Sequence, residues 1–245
     1  YDNVLDDSVL TSNINTVTSL DVSHDSISDL TGIEDFTALI LLNCNSNQLT
    51  SLYVSQNTAL TTLHCDDNLL TILDVSLNLA LGGLYCAGNN LTNLDVSANT
   101  NLISLECHDN SLTSLDVSMN LALEVLSCGA NNLTSLDVSD NIALTNLHFG
   151  WSQLTIIDIS QNIALRYLFC NYNQLDSLDL SSNINLIALE CNNNFLTSLD
   201  LTTNTVLASL ICHDNQLTNL DVSANDSLEY LICYSNQLTS LDVRN

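Results

Sequence analysis

From Leu39 to the C-terminus the chain repeats one pattern of leucine and polar positions every 21 residues, without a slip in register. The unit at 60–79, LTTLHCDDNLLTILDVSLNL, divides into two similar halves, L-x-x-L-x-C-x-x-N-x and L-x-x-L-x-V-x-x-N-x-x. In each half the residues flanking the x of L-x-C or L-x-V fall on one face, as the period-two geometry of a strand requires. Leu63 and Cys65 are therefore expected to point inward with His64 outward, and Leu73 and Val75 inward with Asp74 outward. Each half ends on an asparagine, giving two columns, Asn47 to Asn236 and Asn57 to Asn225. Their amides suit the backbone groups that tight turns leave unpaired. The pattern predicts a right-handed β-rich solenoid, each coil burying its apolar edge only against its neighbours. We expect about ten coils, a rod about 50 Å long, with parallel strands on two faces and little helix.

Nine cysteines mark the frame: Cys44, Cys65, Cys86, Cys107, Cys128, Cys170, Cys191, Cys212 and Cys233. Every interval is 21 residues except one of 42, which passes over Phe149. There the Cys-x-x-Asn seen in nine other places becomes Phe-Gly-Trp-Ser, within the segment HFGWSQ at 148–153, and Trp151 is the only tryptophan of the chain. The cysteines do not read as a zinc or disulfide framework, because no C-x-x-C spacing occurs and zinc needs ligands converging from different directions. They read as small apolar fillers in a position usually held by leucine, free thiols protected by burial.

These motifs resemble the leucine-rich repeat family, L-x-x-L-x-L-x-x-N/C-x-L, and within it the 21-residue bacterial class with two nested half-repeats (IRREKO type). The segment VTSLDVSHDSISDLTGIEDFTALILL at 17–42 is similar to a 22-residue internalin-type repeat, as found near the N-terminus of secreted leucine-rich repeat proteins of Bacteroidetes. The resemblance covers about residues 17–245. It divides the chain into 1–16, the remnant of an N-terminal cap, 17–38, an internalin-like first repeat, and 39–245, the solenoid. It implies a secreted or cell-surface bacterial protein that binds proteins or glycans, without fixing one ligand.

Charge narrows the partners. The chain carries 28 acidic residues, two arginines and no lysine, for a net charge of −26. Nucleic acid is excluded as a partner, since its recognition needs clustered lysine and arginine. No run of about 18 apolar residues is present to span a membrane. No basic-then-apolar leader stands at the start, and both ends read as cut from something longer. Part of the acidity forms a column: Asp74, Asp95, Asp116, Asp137, Asp158, Asp179, Asp200, Asp221 and Asp242 share one outward position. Stacked carboxylates repel one another, so an offset is expected from neighbouring Ser and Thr hydroxyls, from partial protonation, or from bound cations such as Ca²⁺. Ca²⁺ is the one cofactor the sequence suggests.

The equivalent position of the other half varies: Asn43, His64, Tyr85, Glu106, Ser127, His148, Phe169, Glu190, Ile211, Ile232. A varied face on near-identical coils points to the face a partner reads. Around HFGWSQ the register stacks His148 on Phe169 and Trp151 on Tyr172, with Arg166 and Tyr167 close by. Trp, Tyr and Arg dominate interface hot spots, and flat rings also stack on sugars. The candidate ligand site is therefore His148, Trp151, Arg166, Tyr167, Phe169, Tyr172 and Glu190. Phe149 is expected inside, as a packing repair. No enzyme is expected. Glu106 and Glu190 lie four coils apart, about 19 Å, too far for a glycosidase pair. His64 and His148 are equally distant and His108 and His213 further still, so no imidazole cluster is expected. No G-x-S-x-G or phosphate loop occurs. The resulting reading is a non-catalytic recognition or adhesion module for a protein or polysaccharide. The alternative is a building block that stacks end to end into a filament, with ice binding disfavoured by the ionised aspartates.

Overall fold

The computed structural model describes residues 14–241. Eleven three-residue strands, β1 (Ser19–Asp21) through β11 (Tyr230–Ile232), stack in chain order into one parallel sheet. Leu42 pairs with Leu63 and Leu63 with Leu84, so the pairing register is the repeat itself. Between β1 and β2 (Leu41–Asn43) the step is one residue longer, Ser19 pairing with Leu41, and the intervening segment holds a 3-10 turn at Ile33–Asp35. The proposed cap remnant and Asp242 fall largely or wholly outside the described residues.

The leucine, valine and cysteine columns fill the interior. Leu63, Cys65, Leu70 and Val75 have no exposed surface, and the same holds in coil after coil. Phe149 is fully buried in the cysteine column, as expected.

One expectation needs correction. The L-x-V half does not build a second strand face: among the described residues it contributes one isolated bridge, Tyr53 to Asp74. The Ser or Thr two residues after each column aspartate gives its N–H to that carboxylate, as Ser97 does to Asp95 at 3.0 Å and Thr202 to Asp200 at 3.0 Å, so this half turns through side-chain-capped bends.

Two asparagine ladders hold the coils together. In the first, Asn68 Oδ1 accepts from the Leu49 N–H of the preceding coil at 2.9 Å. Its Nδ2 donates to Cys44 O of that coil at 3.0 Å and to Cys65 O and Asp66 O of its own. Asn89, Asn110, Asn131, Asn173, Asn194, Asn215 and Asn236 repeat the arrangement. In the second, Asn78 Nδ2 donates to Val54 O and Asn57 O. The Oδ1 atoms of this second column, from Asn57 to Asn225, are buried without a protein partner.

Burial holds the thiols protonated, pushing Cys44, Cys128, Cys170 and Cys212 up to about 12. Cys233 is only partly buried. A native sample titrated with an aromatic disulfide reagent is therefore expected to show at most one fast thiol, Cys233, with all nine reacting once the chain is denatured. Fast reaction of several thiols in the folded protein would contradict the burial of the column.

Candidate recognition surface

The strands β7 (Asn146–His148), β8 (Tyr167–Phe169) and β9 (Ala188–Glu190) carry most of the predicted ligand residues. Each has a buried central leucine and two half-buried flanking residues on the outer face. The seven predicted residues do not form one cluster. At the start of β8 the Arg166 guanidinium lies 6.0 Å from the Tyr167 ring. In the middle, His148 meets Phe169 edge to face at 6.0 Å, and Glu190 is paired in register beside Phe169. At the turn beyond the strand end, Trp151 and Tyr172 stack at 3.6 Å. The predicted contacts are thus present, arranged as three groups across the short width of the sheet. Stacked pairs also occur elsewhere on the face, His64 with Tyr85 and His213 with Tyr234, so stacking alone does not single out this region.

Backbone geometry does. The second residue after each column cysteine has positive φ. Across the coils that position holds Ser, Asp, Gly, Ala and Asn, apart from Trp151 at φ 57° and Tyr172 at φ 53°. A bulky side chain in the left-handed region costs roughly 1–2 kcal/mol. Two adjacent aromatics carry that cost where Asn193 in the next coil avoids most of it.

The same coil also breaks the first ladder. Ser152 stands where the asparagine belongs, and its buried Oγ has no hydrogen-bond partner. Leu112 and Leu154 each donate to a ladder Oδ1, at 2.8 and 3.0 Å, and Leu133 between them has no counterpart bond. Asn110 N donates to Ala130 O and Ser152 N to Tyr172 O, but the matching bond from Asn131 N to Trp151 O is missing. The coil that presents Trp151 is therefore the one least well tied to its predecessor.

An imidazole pair was not expected and is present. Ser127 Oγ lies 3.2 Å from His108 Nδ1 and 3.2 Å from His148 Nδ1, and the two rings are 6.4 Å apart. One hydroxyl proton serves one ring, so the other ring must donate to the hydroxyl from a protonated Nδ1. His108 follows its cysteine while His148 precedes Phe149, so comparing like positions at multiples of 21 could not find them. Close by, a Cβ at Gly129 would lie 2.6 Å from Gly150 O and 3.2 Å from His148 Nε2, so that turn needs glycine for its backbone approach to the next coil. Burial, and to a lesser degree His108, lowers the pKa of His148 below its ordinary 6.5.

On the other half, the column aspartates are exposed, and their carboxyls are held below the usual range by Ser or Thr hydroxyl and N–H donors. Those hydroxyls supply one of the offsets anticipated for stacked carboxylates. Among the described residues, no three or more His, Cys, Asp or Glu side chains converge as a metal site, and no helix is long and apolar enough to cross a membrane.

No family model matches the chain. A stretch of 52 residues is 46% identical to internalin J of Listeria monocytogenes, which is 21% of this chain and 6% of that protein. The solved functional domain of the same internalin, described as including a cysteine ladder, is 38% identical with a TM-score of 0.82. That alignment covers 95% of this chain and 57% of that domain. A leucine-rich repeat protein of Leptospira interrogans superposes with a TM-score of 0.74 at 25% identity, over 95% of this chain and 70% of that one. The chain thus spans little more than half of the internalin J domain and a small part of the whole internalin.

Two outcomes follow from the irregular coil. Ser152→Asn restores the ladder contacts to Leu133 and Cys128 and is expected to raise stability by about 1–3 kcal/mol in denaturant unfolding; a neutral or destabilising result would mean the coil does not accept the ladder. For His148, the lowered folded pKa means that its contribution to stability is present above about 6.5 and is lost as pH falls below it. Between pH 7 and pH 5 the melting temperature of the wild type should therefore change less favourably than that of His148→Gln. Parallel pH profiles for the two would contradict the assignment.

Proposed function

We propose that this internalin-like leucine-rich repeat solenoid is a non-catalytic, extracellular recognition module that binds a protein or polysaccharide on its sheet face between His148 and Glu190. The observation that carries the reading is the pair of bulky aromatics, Trp151 and Tyr172, held in left-handed backbone on a coil whose ladder is broken. The other coils place a small residue, Ser, Asp, Gly, Ala or Asn, at those turns. The likeness to a domain named as the functional part of a Listeria internalin supports recognition, and membership of the nested 21-residue class is supported by the two asparagine columns in each coil. A surface location accords with the internalin likeness.

End-to-end stacking is the second reading, favoured by a ladder that any coil in the same register can continue. Size against concentration in light scattering separates the two: single short rods favour recognition, and filaments favour assembly.

The recognition reading is tested by an array of bacterial and host surface proteins and polysaccharides, with each hit re-measured on variants. Phe169→Ala and Tyr172→Ala are expected to weaken binding about tenfold or more without lowering the melting temperature, because hot spots concentrate in such residues. Asp137→Asn, on the opposite column, should bind as the wild type does. The reverse pattern would move the site to the aspartate face and end this reading.

A further inference from the structure

We infer that the cleft beside Trp151 is a subsite for a neutral, polyhydroxylated ligand, a sugar ring of an uncharged glycan, seated on the open face of the indole. The inference rests on the recognition reading and narrows it to one ligand chemistry at one edge of the face.

Two independent observations lead there. The first is charge. In a chain of net charge −26, the cleft is lined by amides, a hydroxyl and two aromatic rings, among them Asn131, Trp151, Ser152, Gln153, Tyr172 and Asn193, and by no carboxylate. It is shallow and open to solvent, a surface on which a ring can lie. A cationic peptide would find its counter-charges on the aspartate column, and an anionic polymer would meet a repulsive field. A neutral ligand loses nothing here.

The second is the platform. Tyr172 covers one face of the indole at 3.6 Å, while the column neighbour on the other side is Ala130, a methyl group, and Trp151 remains 56% exposed. One flat apolar face is thus left open next to hydrogen-bonding groups. That pairing suits a pyranose, whose C–H face is apolar and whose edge is polar.

The chain has one tryptophan, so its fluorescence reports on this cleft alone. Full-length chain would be titrated with neutral hexasaccharides built from glucose, mannose, galactose or N-acetylglucosamine, and with oligogalacturonate as the anionic counterpart, followed by fluorescence and calorimetry. At least one neutral oligosaccharide is expected to shift the emission, with oligogalacturonate inert. Calorimetry should show binding weakened about tenfold or more in Trp151→Asn, which places in the turn the residue that Asn193 already supplies two coils on. Binding of a neutral oligosaccharide that Trp151→Asn leaves unchanged would overturn the inference, as would equal binding of oligogalacturonate or no response to any of the neutral set. A surface protein whose binding is lost in Phe169→Ala but kept in Trp151→Asn would overturn the glycan subsite while leaving the recognition reading intact. Loss of both the sheet-face and cleft dependence would remove both.

Discussion

Each coil of this protein depends on an amide it does not own. The asparagine that ends one Cys-x-x-Asn turn accepts the leucine N–H of the preceding coil, and its two amide N–H groups are shared among carbonyls of both coils. A tight turn in the interior leaves backbone groups that would otherwise be buried unpaired, and one such group costs about 1–3 kcal/mol. The ladder removes that cost at every step and fixes the step at one repeat. The leucine and cysteine columns fill the space thus defined, and the three-residue strands add the parallel bonds that short segments can make. Lone coils would have neither the core nor the partner amide, so the array is stable only as an array.

The consequence for function is that variation is confined to positions the ladder does not use. Outer strand residues and the residue ahead of each ladder asparagine are free to change, and that is where His148, Trp151, Phe169 and Tyr172 stand. The coil at 149–152 goes further, giving up its ladder amide for Ser152 and accepting strained backbone under Trp151. Phe149 fills the interior there, so the core is not what is relaxed. What is relaxed is the tie to the preceding coil, next to the most exposed aromatic of the patch. Loss of local stability beside a binding surface is the usual arrangement where a site is built into a regular scaffold.

Much of this was legible in the residues. A strict 21-residue period fixes register, so the inward set, the parallel stacking and the contacts of His148 with Phe169 and of Trp151 with Tyr172 follow from arithmetic. The second strand face did not follow, because the two halves share one hydropathy pattern, and that pattern does not record which backbone groups pair with the next coil. The His108, Ser127 and His148 contact was hidden for a related reason. Its members occupy different positions of the repeat, so no single column brings them together. Nor did the pattern reveal that the aromatic patch is three groups, since Arg166 and Tyr172 belong to one coil yet flank opposite ends of β8. The unpaired Ser152 hydroxyl could not be foreseen, being a property of packing.

The central claim is that the asparagine ladder ties coil to coil and that the tie is absent at Ser152. Amide hydrogen exchange reads it residue by residue. Leu112 and Leu154 donate to ladder oxygens, and Leu133, equally buried, does not. The account predicts that the Leu133 N–H exchanges faster than either, and that Ser152→Asn brings it level with them. Equal protection of all three amides in the wild type would contradict it.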